Sequence, residues 1–272
     1  NLVNKAQELP DSNRLSIVFS SILLAYVLTK FINDPSRVIL LNVIGILIPI
    51  QINYRTLATI AITVMAASGT DWILRDTSRK YKIHALPHLI LPTLTSWILS
   101  ILLINLSLSP LWWLVFSFGG ILFYLVILAE FIVSAPNDPR KDFAGAGLNA
   151  LSMVVFFILA ISLRSTKTRL IMLLPAEALA ACLVSVRIFH LQLGRKSKFS
   201  HAVITALIVI QISAPLHYFP LNPIGFGLLL LGPLYGLVNF IINIDQRQSY
   251  KEPAKESLIA LAFFWVAGLW LS

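Results

Sequence analysis

Glu177 sits about ten residues into an apolar run, directly after Pro175-Ala176, and no neighbouring charge on that run neutralises it. An ionised carboxylate at membrane depth costs on the order of 3 kcal/mol, so such a group faces a cavity or a partner. The chemistry open to it is proton or cation binding, or the polar edge of a substrate cleft. The plainer alternative is a protonated acid hydrogen-bonded to a neighbouring helix. Arg187 lies ten residues further on, about 15 Å along a helix, and is too distant to pair with it. Glu130, about five residues from the end of its own run, is the second carboxylate candidate and is expected to reach the membrane interface.

Other groups carry weaker signals. Asp34 and Asp138 each precede a proline, and Asp142 follows four residues after Asp138. Carboxylates in paired loops can hold Mg²⁺. Asp followed by Pro is also an ordinary helix start, with the carboxylate capping backbone N–H groups, and that role is favoured. His84 and His88 are four apart and would share a helix face, though Pro87 lies between them. No HExxH, CxxC or CxxCH motif is present, and neither a metal nor a cofactor is expected. The clusters Arg79, Lys80, Lys82 with His84, and Arg195, Lys196, Lys198 with His201, suit anionic lipid headgroups at an interface.

The elements that must position these residues are membrane spans. The chain is 57% hydrophobic and 12% charged over 272 residues, with a mean hydropathy of +0.83. Apolar stretches long enough for a hydrocarbon core of about 30 Å recur along nearly its whole length. Ten spans are expected, at 13–32, 38–53, 55–75, 86–107, 110–134, 143–163, 168–189, 200–219, 222–243 and 256–272. The second is short and carries Pro49 and Gln51. Thr93, Ser96 and Ser100 share one face of the fourth, a pattern that joins helices by hydrogen bonds. Pro175, Pro215 and Pro233 lie inside the seventh, eighth and ninth, where each can kink its helix.

Charge sorting supports this reading. Fifteen Lys/Arg follow odd-numbered spans and six lie on the other side. Positive-inside bias explains that asymmetry and the net charge of +9, so nucleic acid is not an expected partner. The basic loops are placed in the cytoplasm, both termini outside, and the protein in the cell membrane. A signal peptide is not expected at the start. The lone Cys182 excludes an internal disulfide.

The chain also repeats itself. Asn33-Asp34-Pro35-Ser36-Arg37 matches Asn137-Asp138-Pro139-Arg140-Lys141, and Arg79-Lys80-Tyr81-Lys82 matches Arg195-Lys196-Ser197-Lys198. Two parallel four-span units, 13–107 and 110–219, with a terminal helical hairpin at 222–272, would produce these matches within a single transmembrane domain. Similar composition of apolar helices and basic loops is the competing explanation.

The expected fold is therefore an all-α polytopic membrane bundle of about ten spans in a 4+4+2 plan. Function is open among three classes. A small-molecule or ion transporter is favoured, followed by a non-catalytic subunit of a larger membrane complex and then an interfacial lipid-modifying enzyme. Membrane lipids are the expected partners in every case, with other membrane subunits in the second.

Overall fold

The computed structural model describes residues 10–31, 37–43, 46–52, 54–81, 86–135, 138–166, 169–194, 199–247 and 251–272. Among them the chain is a helical bundle: α1 (Ser12–Phe31), α2 (Tyr54–Tyr81), α3 (Leu86–Asn105), α4 (Pro110–Ser134), α5 (Lys141–Ser165), α6 (Leu170–Leu193), α7 (Phe199–Leu216), α8 (Pro223–Arg247) and α9 (Lys251–Trp270). Eight of these, α1 to α8, are long and apolar enough to cross a membrane. In hydrocarbon every backbone polar group must be satisfied within the chain, which is why continuous helix is the outcome. Helix boundaries follow local chemistry. Pro110 and Pro223 open α4 and α8, where a missing N–H costs nothing, and Gly194 closes α6 at φ 56°, a backbone region that favours glycine.

The expected second span is corrected. There β1 (Arg37–Val43) pairs antiparallel with β2 (Ile46–Ile52), in register from Arg37 opposite Ile52 to Val43 opposite Ile46. The segment is short of the roughly 20 residues a crossing helix needs, and its Val and Ile content favours extended backbone. Pro49 is tolerated because both strands of a two-stranded sheet are edges.

The chain divides into two compact units, Asn1–Ala144 and Gly145–Ser272. In the first, α2 packs on α1, α3 and α4, and α3 packs on α4. Aromatic side chains pin these contacts. Tyr26 donates its hydroxyl to the Ser96 carbonyl at 2.8 Å, and Trp112 donates its indole N–H to the Leu103 carbonyl at 3.1 Å.

In the second unit α7 and α8 both pack on α6, α7 packs on α8, and α9 lies along α8. Glycines set that last spacing. A Cβ on Gly225 would stand 2.8 Å from the Gly268 carbonyl, and one on Gly236 would stand 3.2 Å from the Ser257 carbonyl. The two backbones therefore approach closely, as small residues permit in membranes.

Candidate functional site

Glu177 is 1% exposed, two turns into α6 and on the face that also buries Leu173, Ala181 and Val184. Ser213 on α7 donates its hydroxyl to Oε2. The other carboxylate oxygen, Oε1, has no hydrogen-bond partner among the described residues. Among the described residues no Lys, Arg or His forms an ion pair with this group. The charge of Arg164, at the end of α5, reaches it through space. Arg164 itself is occupied at the helix ends, donating to the carbonyls of His217 and Phe219 at 3.0 Å each. Its Nη1 also lies 3.3 Å from His217 Nδ1. Since guanidinium can only donate, it holds that ring nitrogen as an acceptor. His217 directly follows α7, one turn beyond Ser213, and donates its backbone N–H to the Ser213 carbonyl.

Two contacts define how α6 and α7 face each other. Glu177 meets Ser213 near one end, and the rings of Phe189 and His201 meet edge to face, centroids 6.1 Å apart, near the other. Glu177 to Phe189 and His201 to Ser213 are both twelve residues, so the helices run antiparallel in one constant register. Between the two contacts Ala181 and Ser185 on α6 and Thr205 and Val209 on α7 are all fully buried. Thr205 bonds back to the His201 carbonyl at 2.9 Å. Among the described residues Ser185 Oγ and His201 Nδ1 have no hydrogen-bond partner.

The first unit holds a second buried polar group, on α3 and α4. His88 Nδ1 lies 3.0 Å from Glu130 Oε2 and 3.3 Å from Ser134 Oγ, and Ser134 donates to the Glu130 carbonyl at 2.8 Å. With Glu130 ionised, the ring proton resides on Nδ1, because a carboxylate can only accept. Serine and carboxylate thus approach the same ring nitrogen. A relay that activates a nucleophile needs one at each nitrogen, so this geometry ties helices together and does not activate Ser134. The expectation that Glu130 reaches the interface is corrected: it is 0% exposed. Leucine-rich α3 and α4 pack too closely there to let it out, and His88 meets it inside.

The remaining sequence candidates separate. Asp138 Oδ1 accepts the Arg140 backbone N–H at 2.9 Å and its Nε at 3.0 Å, while Oδ2 accepts Nη2 at 2.8 Å. This is the capping role at the entry to α5, reinforced by a bidentate ion pair. Those bonds from Arg140 hold the Asp138 carboxyl below its ordinary 3.8, and the pair raises Arg140 in turn. Asp142 is exposed. Asp34, Lys82, His84, Arg195, Lys196 and Lys198 lie outside the described residues, and Arg79 and Lys80 belong to the last turns of α2. Arg187, counted among the loop cations, is instead inside α6 and fully buried. Among the described residues no group of three or more His, Cys, Asp or Glu is placed to hold a metal ion.

Sequence reasoning passed over Ser213 and the His88–Glu130 pair. The signal for the pair was present, a histidine and a carboxylate each inside an apolar run of adjacent helices. Ser213 had none, being one hydroxyl among many.

No curated protein and no solved structure matches the chain. The model of the family described as Protein of unknown function (DUF5656) matches residues 34–271, and the chain belongs to that family.

Proposed function

We propose that this multi-pass membrane protein transports a small solute or ion, with Glu177 as the carboxylate that binds it. The observation that carries this reading is Glu177 itself, nearly wholly buried with Oε1 unpartnered and with one hydroxyl, Ser213, on the other oxygen. A carboxylate serving only to join helices would use both oxygens, because each buried unpaired polar atom costs about 1–3 kcal/mol. Pro175 and Pro215 flank the site on α6 and α7, and each removes a backbone bond that would otherwise stiffen its helix there.

The trio α2, α3 and α4 makes the same three pairwise contacts as the trio α6, α7 and α8, which supports a parallel repeat of three helices. The four-span units 13–107 and 110–219 do not correspond throughout, because β1 and β2 stand where the second unit has the helix α5. Parallel repeats occur among transporters. The basic loops are assigned to the cytoplasmic face of the cell membrane. Lipid is the partner of the outer surface. A cleft of about 310 Å³ beside α7, α8 and α9, lined by Ile208, Ile212, Pro233, Phe240 and Leu258, suits an acyl chain.

Reconstituted protein screened by charge movement across solid-supported membranes tests this reading. Glu177→Gln is expected to abolish the wild-type signal while the purified protein keeps its helix content and monodispersity. An unchanged signal in Glu177→Gln would remove the proposal.

A further inference from the structure

A groove of about 260 Å³ runs between α1 and α2. Two contacts fix how the helices face each other along it. The Arg14 guanidinium lies 5.5 Å from the centre of the Trp72 ring and donates to the Trp72 carbonyl at 3.4 Å. One turn further in, a Cβ on Gly69 would stand 2.5 Å from Val18 Cγ1, so the two helices approach closely. Arg14 to Val18 is four residues forward and Trp72 to Gly69 is three back, so α1 and α2 run antiparallel. Val18 and Ile22 are buried in the groove, while Ile17, Met65 and Trp72 are exposed along it. Ser21 and Ser68 line it too. Each turns its hydroxyl back onto its own helix, to the Ile17 carbonyl at 2.7 Å and the Val64 carbonyl at 2.9 Å. The result is a largely apolar channel with an indole and a guanidinium at one end.

Its dimensions select the occupant. Arg14 to Ser21 and Met65 to Trp72 each span seven residues, about 10 Å along a helix. Spread over that length, 260 Å³ gives a section of about 25 Å². An α-helix with its side chains is about 10–12 Å across and is too wide to enter. A single hydrocarbon chain is not.

We propose that this groove holds one acyl chain of an anionic phospholipid, with the lipid phosphate on Arg14. The site belongs to a lipid partner and does not depend on Glu177. Charge complementarity supplies the headgroup. Arg14 reaches the Trp72 carbonyl at 3.4 Å and Asp11 at 3.6 Å, both longer than the roughly 2.7–2.9 Å of a charge-assisted bond, so a phosphate oxygen at ordinary distance improves on either. Asp11 is itself engaged in accepting the Asn13 backbone N–H at 3.0 Å. Arg75 follows Trp72 by one turn and is exposed. At these two helix ends Arg14, Arg75, Arg79 and Lys80 outnumber the acids Asp11, Asp71 and Asp76. This is the end assigned to the cytoplasmic face, whose leaflet carries anionic lipid. Trp72 suits the same level, because indoles gather among headgroups.

Lipid binding to the full-length protein tests the site. The protein is purified in detergent, freed of lipid and titrated with phosphatidylglycerol or phosphatidylcholine, and native mass spectrometry reads the lipid-bound fraction. Wild type is expected to hold phosphatidylglycerol about fivefold tighter than phosphatidylcholine, a ratio that converts to about 1 kcal/mol. Arg14→Gln should remove that preference. Ser68→Leu fills the groove from an exposed position and should weaken both lipids at least about fivefold. Lys255→Gln, which removes an exposed cation of α9, should change neither. Glycerol phosphate, a headgroup without chains, should not displace bound phosphatidylglycerol. Where Arg14→Gln loses its helix content, the Ser68→Leu comparison decides. Equal binding of the two lipids by wild type overturns the site, as does binding indifferent to Ser68→Leu. A preference that Lys255→Gln removes as fully as Arg14→Gln also overturns it. Displacement by glycerol phosphate would make the ligand a soluble anion and overturn the lipid.

Discussion

Ser213 Oγ donates to one oxygen of Glu177 from the adjacent helix, and the second oxygen has no partner among the described residues. Ser213→Ala removes that bond and leaves a buried carboxyl with neither oxygen bonded. Stability in detergent should fall by about 1–3 kcal/mol, read as a lower midpoint in thermal unfolding. Charge movement should change with it, because the group now binds its ion without the hydroxyl. A variant identical to wild type in both measurements would mean that the contact does not act on Glu177.

His88 and Glu130 form a buried pair on α3 and α4. Removing one partner leaves the other in a medium that penalises it, at about 3–5 kcal/mol, whereas replacing both with apolar residues of similar volume is far milder. The expected order of unfolding midpoints in detergent is wild type, then His88→Leu with Glu130→Leu, then either single variant. A double variant as unstable as the sum of the singles would show that the two residues act independently.

Asp138 is held below its ordinary 3.8 by the Arg140 bonds, and it lies outside the spans. A depressed carboxyl contributes its stability in full above the ordinary value and loses it as pH falls through the depressed one. Arg140, raised by the same pair, keeps its contribution at every pH below its ordinary value. Asp138→Asn should therefore be less stable than wild type at neutral pH, and the gap should close only below about pH 4. Unfolding midpoints of both proteins across that range would expose a gap that is flat with pH, which this account does not allow.

The β1–β2 hairpin alters the threading. An antiparallel hairpin returns the chain to the side from which it came, so one crossing disappears between α1 and α2. Keeping Arg75, Arg79, Lys80 and Lys82 on the basic side then moves the N-terminus to that side too. Lys5 and Arg14 join it while Lys30 and Arg37 leave it, so the charge bias is unchanged. A reporter placed before α1 and one placed between α8 and α9 should both be active on the cytoplasmic side, since α1 to α8 make an even number of crossings. Activity of the two on opposite sides would restore the missing crossing.

The amino-acid sequence by itself determined that this is a helical membrane protein, where most helices lie, and that Glu177 is out of place in an apolar run. Those features are local: a length of apolar residues, a cluster of cations, one charge where water is absent. Partner choice was decided by tertiary structure. Glu130 resembles an interfacial residue when only its distance from a helix end is visible, yet packing of α3 on α4 turns it inward to His88, forty-two positions away. Arg187 counts as a loop cation until α6 is seen to continue past it. The 37–52 segment is apolar enough for either structure, and the pairing of its two halves settles the outcome. The bond from Ser213 on α7 to Glu177 on α6 exists only in one register. A shift of one residue turns a helix by about 100° and would separate Ser213 from Glu177, and that register is set by packing along the whole seam rather than by any residue in it.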